Sequence, residues 1–580
     1  MTNFNIDAVA QNTGTPDRFD AIVVGSGISG GWAAKELTGK GLRTLVLERG
    51  RDVQHVTDYP TTMMQPWEFE HRNQLTREVR EANPIISKCY AFYEGTEQFF
   101  VKDAEHPYVQ AKPFDWIRGY QVGGKSLMWA RQTQRWSDFD FDGPARDGFA
   151  VDWPIRYADL APWYSHVEKF AGISGNKDGL ASLPDGEFLP PHDWNCVEKH
   201  FQQKIAGKYA DRHVIMGRAA HITKPQPIHL EQGRAQCQHR TICERGCPYG
   251  GYFSSNSSTI PWAMRSGKMT LRPHSVVHSI IYDDAKRRAV GVRVIDAQTK
   301  EMQEFYARVI FVNAAALNTN LILLNSTSNR FPNGLGNDSG TLGKYVAFHN
   351  YRGGISAEFD GMLDVKTDGR RPNSPYIPRF RNLLKQEQSG PASGFLRGYA
   401  AGFSANRHAR ADQSGLGADL KQSLFAPKLE GWRVGSHMMG ETLPKETNFV
   451  ALDPNKKDPF GIPQLAISVD YDENDNKMVK DYQEQMTEMF TVAGFTNIRV
   501  RDDHRTPGLD IHEMGGVRMG RDPKTSMLNR MNQLHACKNV FVTDGACMTS
   551  TSTQNPSLTY MALTARAVDY AVKAIKNGWV

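Results

Sequence analysis

Two groups of residues in this sequence are spaced for chemistry. The first is Gly25-Ser26-Gly27-Ile28-Ser29-Gly30, with Glu48 some twenty positions on. Glycines at this spacing bring backbone N–H donors up to a pyrophosphate. Gly25 permits a tight turn, Gly27 lets the main chain approach phosphate, and Gly30 lets a helix pack closely on the preceding strand. Glu48 can accept hydrogen bonds from a ribose diol. The second group is Cys237, Cys243 and Cys247, followed by Pro248, in a polar, glycine-containing stretch. Three thiolates this close in sequence can converge on one metal site. Their spacing is not that of standard ferredoxins, and three ligands suit a [3Fe-4S] cluster better than a four-ligand cubane. Zinc, with Cys196 or His239 as a fourth ligand, is the rival reading. Three free thiols are the third.

The glycines fall in the context that a dinucleotide site requires. Ala21–Val24 is an apolar run that reads as a buried parallel strand. Helical spacing follows at Ala33, Ala34 and Leu37, and a second apolar run, Thr44–Leu47, closes on Glu48. Without both strands the glycine pattern would be weak evidence. Gly119–Met128 is a second glycine-rich loop, and Tyr157–Phe170 has helical apolar spacing. Val276–Tyr282 and Val290–Val294 read as strands about a charged turn, and Val309–Val312 as a short buried strand. A helix after it carries Leu317, Leu321 and Leu324.

From about residue 346 to 500 the texture changes. Gly353–Phe359, Leu396–Phe403, Gly431–Gly440 and Asn448–Leu452 alternate as in an antiparallel sheet. Lys366–Gly390 reads as a mobile surface loop and Lys477–Ala493 as an amphipathic helix. A buried strand at Asn539–Asp544 and a helix from about Ser557 end the chain. The expected class is α/β, in two α+β domains. A Rossmann-like nucleotide domain is assembled from the discontinuous segments 18–50, 110–150, 250–345 and 505–580. A substrate domain with an antiparallel sheet, together with the cysteine loop, takes 51–109, 151–249 and 346–504.

Composition narrows the function. The 580 residues suffice for more than one domain. The formal charge of +6 is spread without a long Lys/Arg run, so nucleic acid is not an expected partner. No apolar run reaches membrane-spanning length, so no transmembrane segment is expected. Residues 1–20 are polar and lack the basic and apolar signature of a signal peptide, which points to cytoplasmic synthesis. Seven cysteines without such a signal argue against a disulfide framework.

Further motifs share an order with a known family. They are Arg118-Gly119-Tyr120-Gln121-Val122-Gly123-Gly124-Lys125-Ser126, Asp152-Trp153-Pro154, Val309–Ala316, and Leu342-Gly343 with His349. The C-terminal set is His512-Glu513-Met514-Gly515-Gly516, then Asp544-Gly545, then Asn555-Pro556-Ser557. Over almost its whole length the chain resembles the glucose–methanol–choline (GMC) flavin oxidoreductases. That resemblance implies FAD, with Glu48 on the adenosine ribose and Gly25, Gly27, Ile28 and Gly30 about the pyrophosphate. Arg118, Gly123, Gly124 and Ser126 belong to the loop that cradles the flavin. Val277 meets the adenine edge, and Asp544, Gly545, Pro556 and Ser557 lie near the ribityl and phosphate groups. Met128 stands where some relatives carry a flavin-linking histidine, so the FAD is expected to be non-covalent.

Alcohol oxidation needs a base beside the carbon that loses hydride, and imidazole, with a pKa of about 6.5, suits it. The resemblance gives that role to His512, with Asn555 as its partner on the substrate oxygen. His349 is read as structural. The cysteine cluster, followed by Tyr249–Thr259, resembles the catalytic subunits of bacterial sugar dehydrogenases, and among them the glucoside 3-dehydrogenases. The implied activity is oxidation of a secondary hydroxyl of a pyranose or glycoside, at C3, to a ketone. A gluconate, fructose or sorbitol dehydrogenase and an oxygen-using pyranose oxidase are the alternatives. The implied partners are a small signal-bearing subunit, which would carry the chain to the periplasm, and a c-type cytochrome acceptor.

Overall fold

Strand β1 (Arg18–Val24) lies inside a seven-stranded sheet. The computed structural model describes residues 18–365, 371–383, 394–407, 409–410, 415–425 and 428–580. Helix α1 (Ile28–Gly39) follows β1, then β2 (Thr44–Leu47). The remaining strands are β3 (Met269–Arg272), β4 (Ser275–Asp283), β5 (Arg288–Asp296), β6 (Met302–Val312) and β7 (Val540–Val542). Their spatial order is β3-β2-β1-β6-β5-β4. The first half of β6 pairs antiparallel with β5, and its last three residues pair parallel with β7.

The run Ala21–Val24 is unbroken because both faces of the sheet are covered, as parallel strands require. Ala21 and Val23 join Val46, Phe311 and Phe541 under α1 and the final helix, Ser557–Lys576. Ile22 and Val24 point the other way, with Leu45, Leu47, Ile310 and Val312, into the largest core. Each Val, Leu, Ile or Phe among them contributes roughly 1.5–3 kcal/mol on burial.

A second seven-stranded sheet is antiparallel. Its order is Thr496–Asp502, Gly353–Phe359, Trp432–Glu441, Tyr399–Asn406, Pro375–Ile377 and Ile215–Met216. His349–Asn350 pairs with the end of Trp432–Glu441. Trp432, Val434 and Met438 are buried at alternate positions against helices Glu473–Val492 and Cys196–Lys208.

Two expectations are corrected. Phe449–Lys457 does not join this sheet. It pairs with Pro463–Ser468 in a separate three-stranded sheet, because Val450 N–H bonds Gly343 O (2.8 Å) and ties the strand to the first domain. Within the expected surface loop, Pro375–Ile377 is a buried strand. Residues 366–370 and 384–390 of that loop lie outside the described residues, as do residues 1–17. Among the described residues no helix is long and apolar enough to cross a membrane.

Candidate active site

The carboxyl ends of four strands lie side by side. Val24 is level with Leu47 and Val312, and Val312 with Val542. The residues just beyond them, Gly25, Glu48, Asn313 and Asp544, therefore share one edge, where open α/β sheets bind ligands. A cleft of about 520 Å³ opens there. It is lined by Gly25, Gly27, Ile28, Glu48, Arg118, Gly124, Ser126, Val277, Asp544, Gly545, Asn555, Pro556, Ser557 and His512. Gly30 and Gly123 lie behind this lining.

Local structure explains the geometry. Gly25 has φ +92°, and a Cβ there would sit 2.4 Å from Asn313 O. Gly27 caps α1 without a side-chain acceptor, which leaves first-turn N–H groups free for an anion. The Glu48 carboxylate accepts from Ser26 N–H (3.1 Å), Ser26 Oγ (2.5 Å) and Gly50 N–H (3.0 Å). It thus pins the phosphate loop as well as facing the cleft. Burial raises its pKa despite those bonds. Asp544 accepts from Thr319 Oγ1 (2.6 Å) and Ala546 N–H (3.0 Å), and burial lifts its pKa to about 6.

At the far end of the cleft, two chain segments bring imidazoles together. His349 stands at the edge of the second sheet, opposite Glu441. His512 lies in a loop tied to the same region by a bridge between Ala347 and Met514. Gly515 (φ +87°) allows that approach, since a Cβ would lie 2.3 Å from Tyr345 O. His349 Nδ1 and His512 Nδ1 are 2.8 Å apart, and His512 Nε2 is 3.3 Å from Asn555 Nδ2.

The hydrogen bonds fix the tautomers. His349 Nε2 faces two carbonyls, Thr551 O (3.2 Å) and Ser552 O (3.1 Å), which only accept, so Nε2 carries the proton. His349 Nδ1 is then an acceptor and takes the N–H of His512 Nδ1. His512 Nε2 is left unprotonated, its lone pair facing the Asn555 amide and the cleft. Burial, then the charges of His349 and Lys125, hold His512 well below the ordinary imidazole pKa. His349 is held at about 4 by burial. The pair is neutral near pH 7, as a proton acceptor must be. Asp510, whose Oδ2 accepts from His349 N–H (2.9 Å), is raised to about 7 by burial and by Glu513.

The three cysteines surround a separate small cavity with Tyr252 and His221. Gly251 N–H points at Cys247 Sγ (3.4 Å), and Cys243 Sγ is 3.9 Å from His221 Nε2. Burial raises the Cys243 thiol to about 12, although Arg131 opposes it. Neither proposed fourth ligand reaches this cavity. Cys196 begins a helix packed against the second core, and His239 faces His192. A bridge between His221 and Tyr252 brings His221 there instead. The two sites adjoin: Tyr252 Oη bonds Leu127 O (2.6 Å), and the next residue, Met128, lines the cleft. All seven cysteines are free of disulfides.

The sequence profiles of GMC oxidoreductases match residues 20–349 and 444–564. The chain belongs to the GMC oxidoreductase family. It is 28% identical over 96% of both chains to the 2-methyl-1,2-propanediol dehydrogenase of Mycolicibacterium austroafricanum. It is 25% identical to the fructose dehydrogenase large subunit of Gluconobacter japonicus, over 96% of this chain and 98% of that one. Among solved structures, a formate oxidase from Aspergillus oryzae RIB40 superposes with a TM-score of 0.61 at 13% identity, covering 97% of this chain and all of that one.

As a GMC enzyme this chain is an FAD-dependent oxidoreductase. The cleft fits that cofactor: free helix N–H groups, the buried Glu48 carboxylate and the unprotonated His512 Nε2 follow one another along it. His349, read from the sequence as structural, meets His512 at the end of the cleft, and His221, which no motif marks, lines the cysteine cavity. Each is a single histidine far in sequence from the residue it meets.

Proposed function

We propose that this chain is a dehydrogenase that oxidises a secondary hydroxyl of a pyranose or glycoside, at C3, to a ketone. The observation that carries the reading is the unprotonated His512 Nε2 beside the Asn555 amide at the end of the cleft. His512 takes the hydroxyl proton at Nε2. Asn555 donates an amide hydrogen to the same substrate oxygen as charge develops there. His349 holds the ring in its accepting tautomer. Glu48 would hold the adenosine ribose of FAD, and the Gly25–Gly30 turn its pyrophosphate. Bound FAD supplies the hydride acceptor, with Met128 leaving it non-covalent.

The substrate end of the cleft is lined by Tyr351, Tyr376 and His437 from the second domain and by Gln132 from the first. The Tyr376 hydroxyl, buried at the cleft wall near Thr553, can serve a sugar hydroxyl. Other aromatic and polar residues of that domain point elsewhere. Trp432 and Tyr399 are core residues. A second reading, a ketose or polyol dehydrogenase, is favoured by the names of the fructose and diol relatives.

In the same proposal, Cys237, Cys243 and Cys247 hold a [3Fe-4S] cluster. Zinc takes four ligands, and neither Cys196 nor His239 lines the cavity beside the three thiols. Loaded, the site would supply a one-electron relay to a cytochrome-type acceptor in a periplasmic assembly with a small subunit. The name of the fructose relative, a large subunit, supports such partners.

The test is anaerobic mixing of purified protein with glycosides, pyranoses, fructose, gluconate and 1,2-diols while flavin absorbance is followed. Bleaching by a glycoside supports the first reading and bleaching by fructose or diols alone the second. The His512→Ala variant should keep its FAD and lose bleaching. Undiminished bleaching in it would remove the base from His512.

A further inference from the structure

Arg240 lines the cysteine cavity and Arg245 is buried within its loop, donating to Thr61 O (3.3 Å) and Met64 O (2.9 Å); behind the lining stand Arg131 and Arg234, and these two differ in one respect. Arg131 Nη1 and Nη2 each lie 3.1 Å from Glu244 Oε1, so its charge is balanced. Arg234 is 1% exposed, and among the described residues it forms no ion pair with a carboxylate. Its guanidinium is held by neutral groups: Nε donates to Gly250 O (2.9 Å), and Nη1 to Ala171 O (2.8 Å) and Gln232 Oε1 (3.2 Å). Nη2 is buried and has no partner.

The cysteine loop is built around this side chain. Gly250 lies over the Arg234 stem, where a Cβ would meet Cγ at 2.8 Å. Gly250 N–H bonds Cys247 O (3.0 Å), and Ala235 N–H bonds Tyr249 O (2.8 Å). Burying a cation without an anion is strongly unfavourable. We infer that Arg234 is the buried counter-charge of the anionic group held by Cys237, Cys243 and Cys247, and that it raises that group's reduction potential.

The electrostatics agree. Burial lowers the Arg234 pKa to about 9, and the anion that opposes this is Cys247. Each electron arriving at the site adds one negative charge and departs to the acceptor, with no covalent bond made or broken. A fixed positive charge at the loop favours the state carrying the extra electron. Arg234 acts through the cysteines and is a positioning and tuning residue. The inference rests on the iron–sulfur reading given above.

The test uses anaerobically purified full-length wild type, Arg234→Lys and Arg234→Gln. Iron and sulfide per flavin are measured first, then the midpoint potential of the iron centre by EPR-monitored titration. Arg234→Lys should stay near wild type. Arg234→Gln should either lose iron while keeping flavin or shift the oxidised-to-reduced ratio at fixed potential about tenfold toward oxidised, ~59 mV for one electron. An unshifted potential with full iron in Arg234→Gln overturns the inference. So does an Arg234→Lys variant that behaves like Arg234→Gln, or loss of flavin from both, since each makes the role one of shape and not of charge. Wild type without iron and sulfide overturns the cluster reading itself, before any variant is compared.

Discussion

Replacing His349 by Leu should slow substrate-driven flavin reduction without emptying the cofactor site. In the native chain the His512 Nδ1–H bond ends on His349 Nδ1 at 2.8 Å. Leucine leaves that buried donor without an acceptor, which costs about 1–3 kcal/mol. The alternative is for the proton to move to Nε2, where it would face the Asn555 amide hydrogens and could not receive the substrate proton. At 1.36 kcal/mol per decade, the rate should fall by roughly 5- to 150-fold. Glutamine at 349 offers a carbonyl to His512 and an amide to Thr551 and Ser552, so its loss should stay under about tenfold. Anaerobic stopped-flow at 450 nm, over about pH 6 to 9, measures both. Because burial holds His512 and His349 below the ordinary imidazole pKa, the wild-type rate should be level above pH 7 and fall only on acidification. A His349→Leu variant that bleaches at the wild-type rate, with full flavin content, would refute the tautomer argument.

Two further outcomes are expected. Glu48→Gln removes the negative charge that accepts from Ser26 and Gly50, so FAD should dissociate at least tenfold more readily on dialysis, at about 1.5–3 kcal/mol for a charge-assisted bond; an unchanged dissociation constant contradicts the role of Glu48. Thermal stability should fall as pH drops from about 6.5 to 4.5. Burial holds His55, His192, His349 and His437 at about 4 and His106 at about 3, so the unfolded chain binds more protons there and stability is lost as pH falls. Asp475 and Asp510, raised to about 7, and Asp544, raised to about 6, act in the opposite sense but are fewer. Calorimetry showing a higher melting temperature at pH 4.5 than at 6.5 contradicts that balance.

What the sequence discloses is what neighbours along the chain decide. The run Ala21–Val24, the glycine turn and Glu48 are legible together because one strand–turn–helix–strand unit sets all of them. Residue types failed wherever the partner is distant. Asn448–Leu452 alternates like the strands of the second sheet, yet its partner is Pro463–Ser468, and backbone bonds to Gly343 and Val346 direct it elsewhere. Pro375–Ile377 is hidden within a charged segment because three residues are too few for a period. His349 reads as one histidine among eighteen until the sheet edge sets it against His512. His221 gains its meaning only from the bridge to Tyr252.

The placement of β7 has a consequence for biosynthesis. β6 is flanked early by β1, but its last three residues wait for Val540–Val542, and α1 waits for Ser557–Lys576 to cover it. A growing chain therefore leaves Val23, Phe311 and Ala34 without part of their cover until residues 540–576 have emerged. The cofactor cleft shares that delay, since Asp544 and Asn555 come from the same late segment. The cleft is complete only after that segment has emerged, and the apolar surface exposed before then is of the kind that drives aggregation of partly made chains.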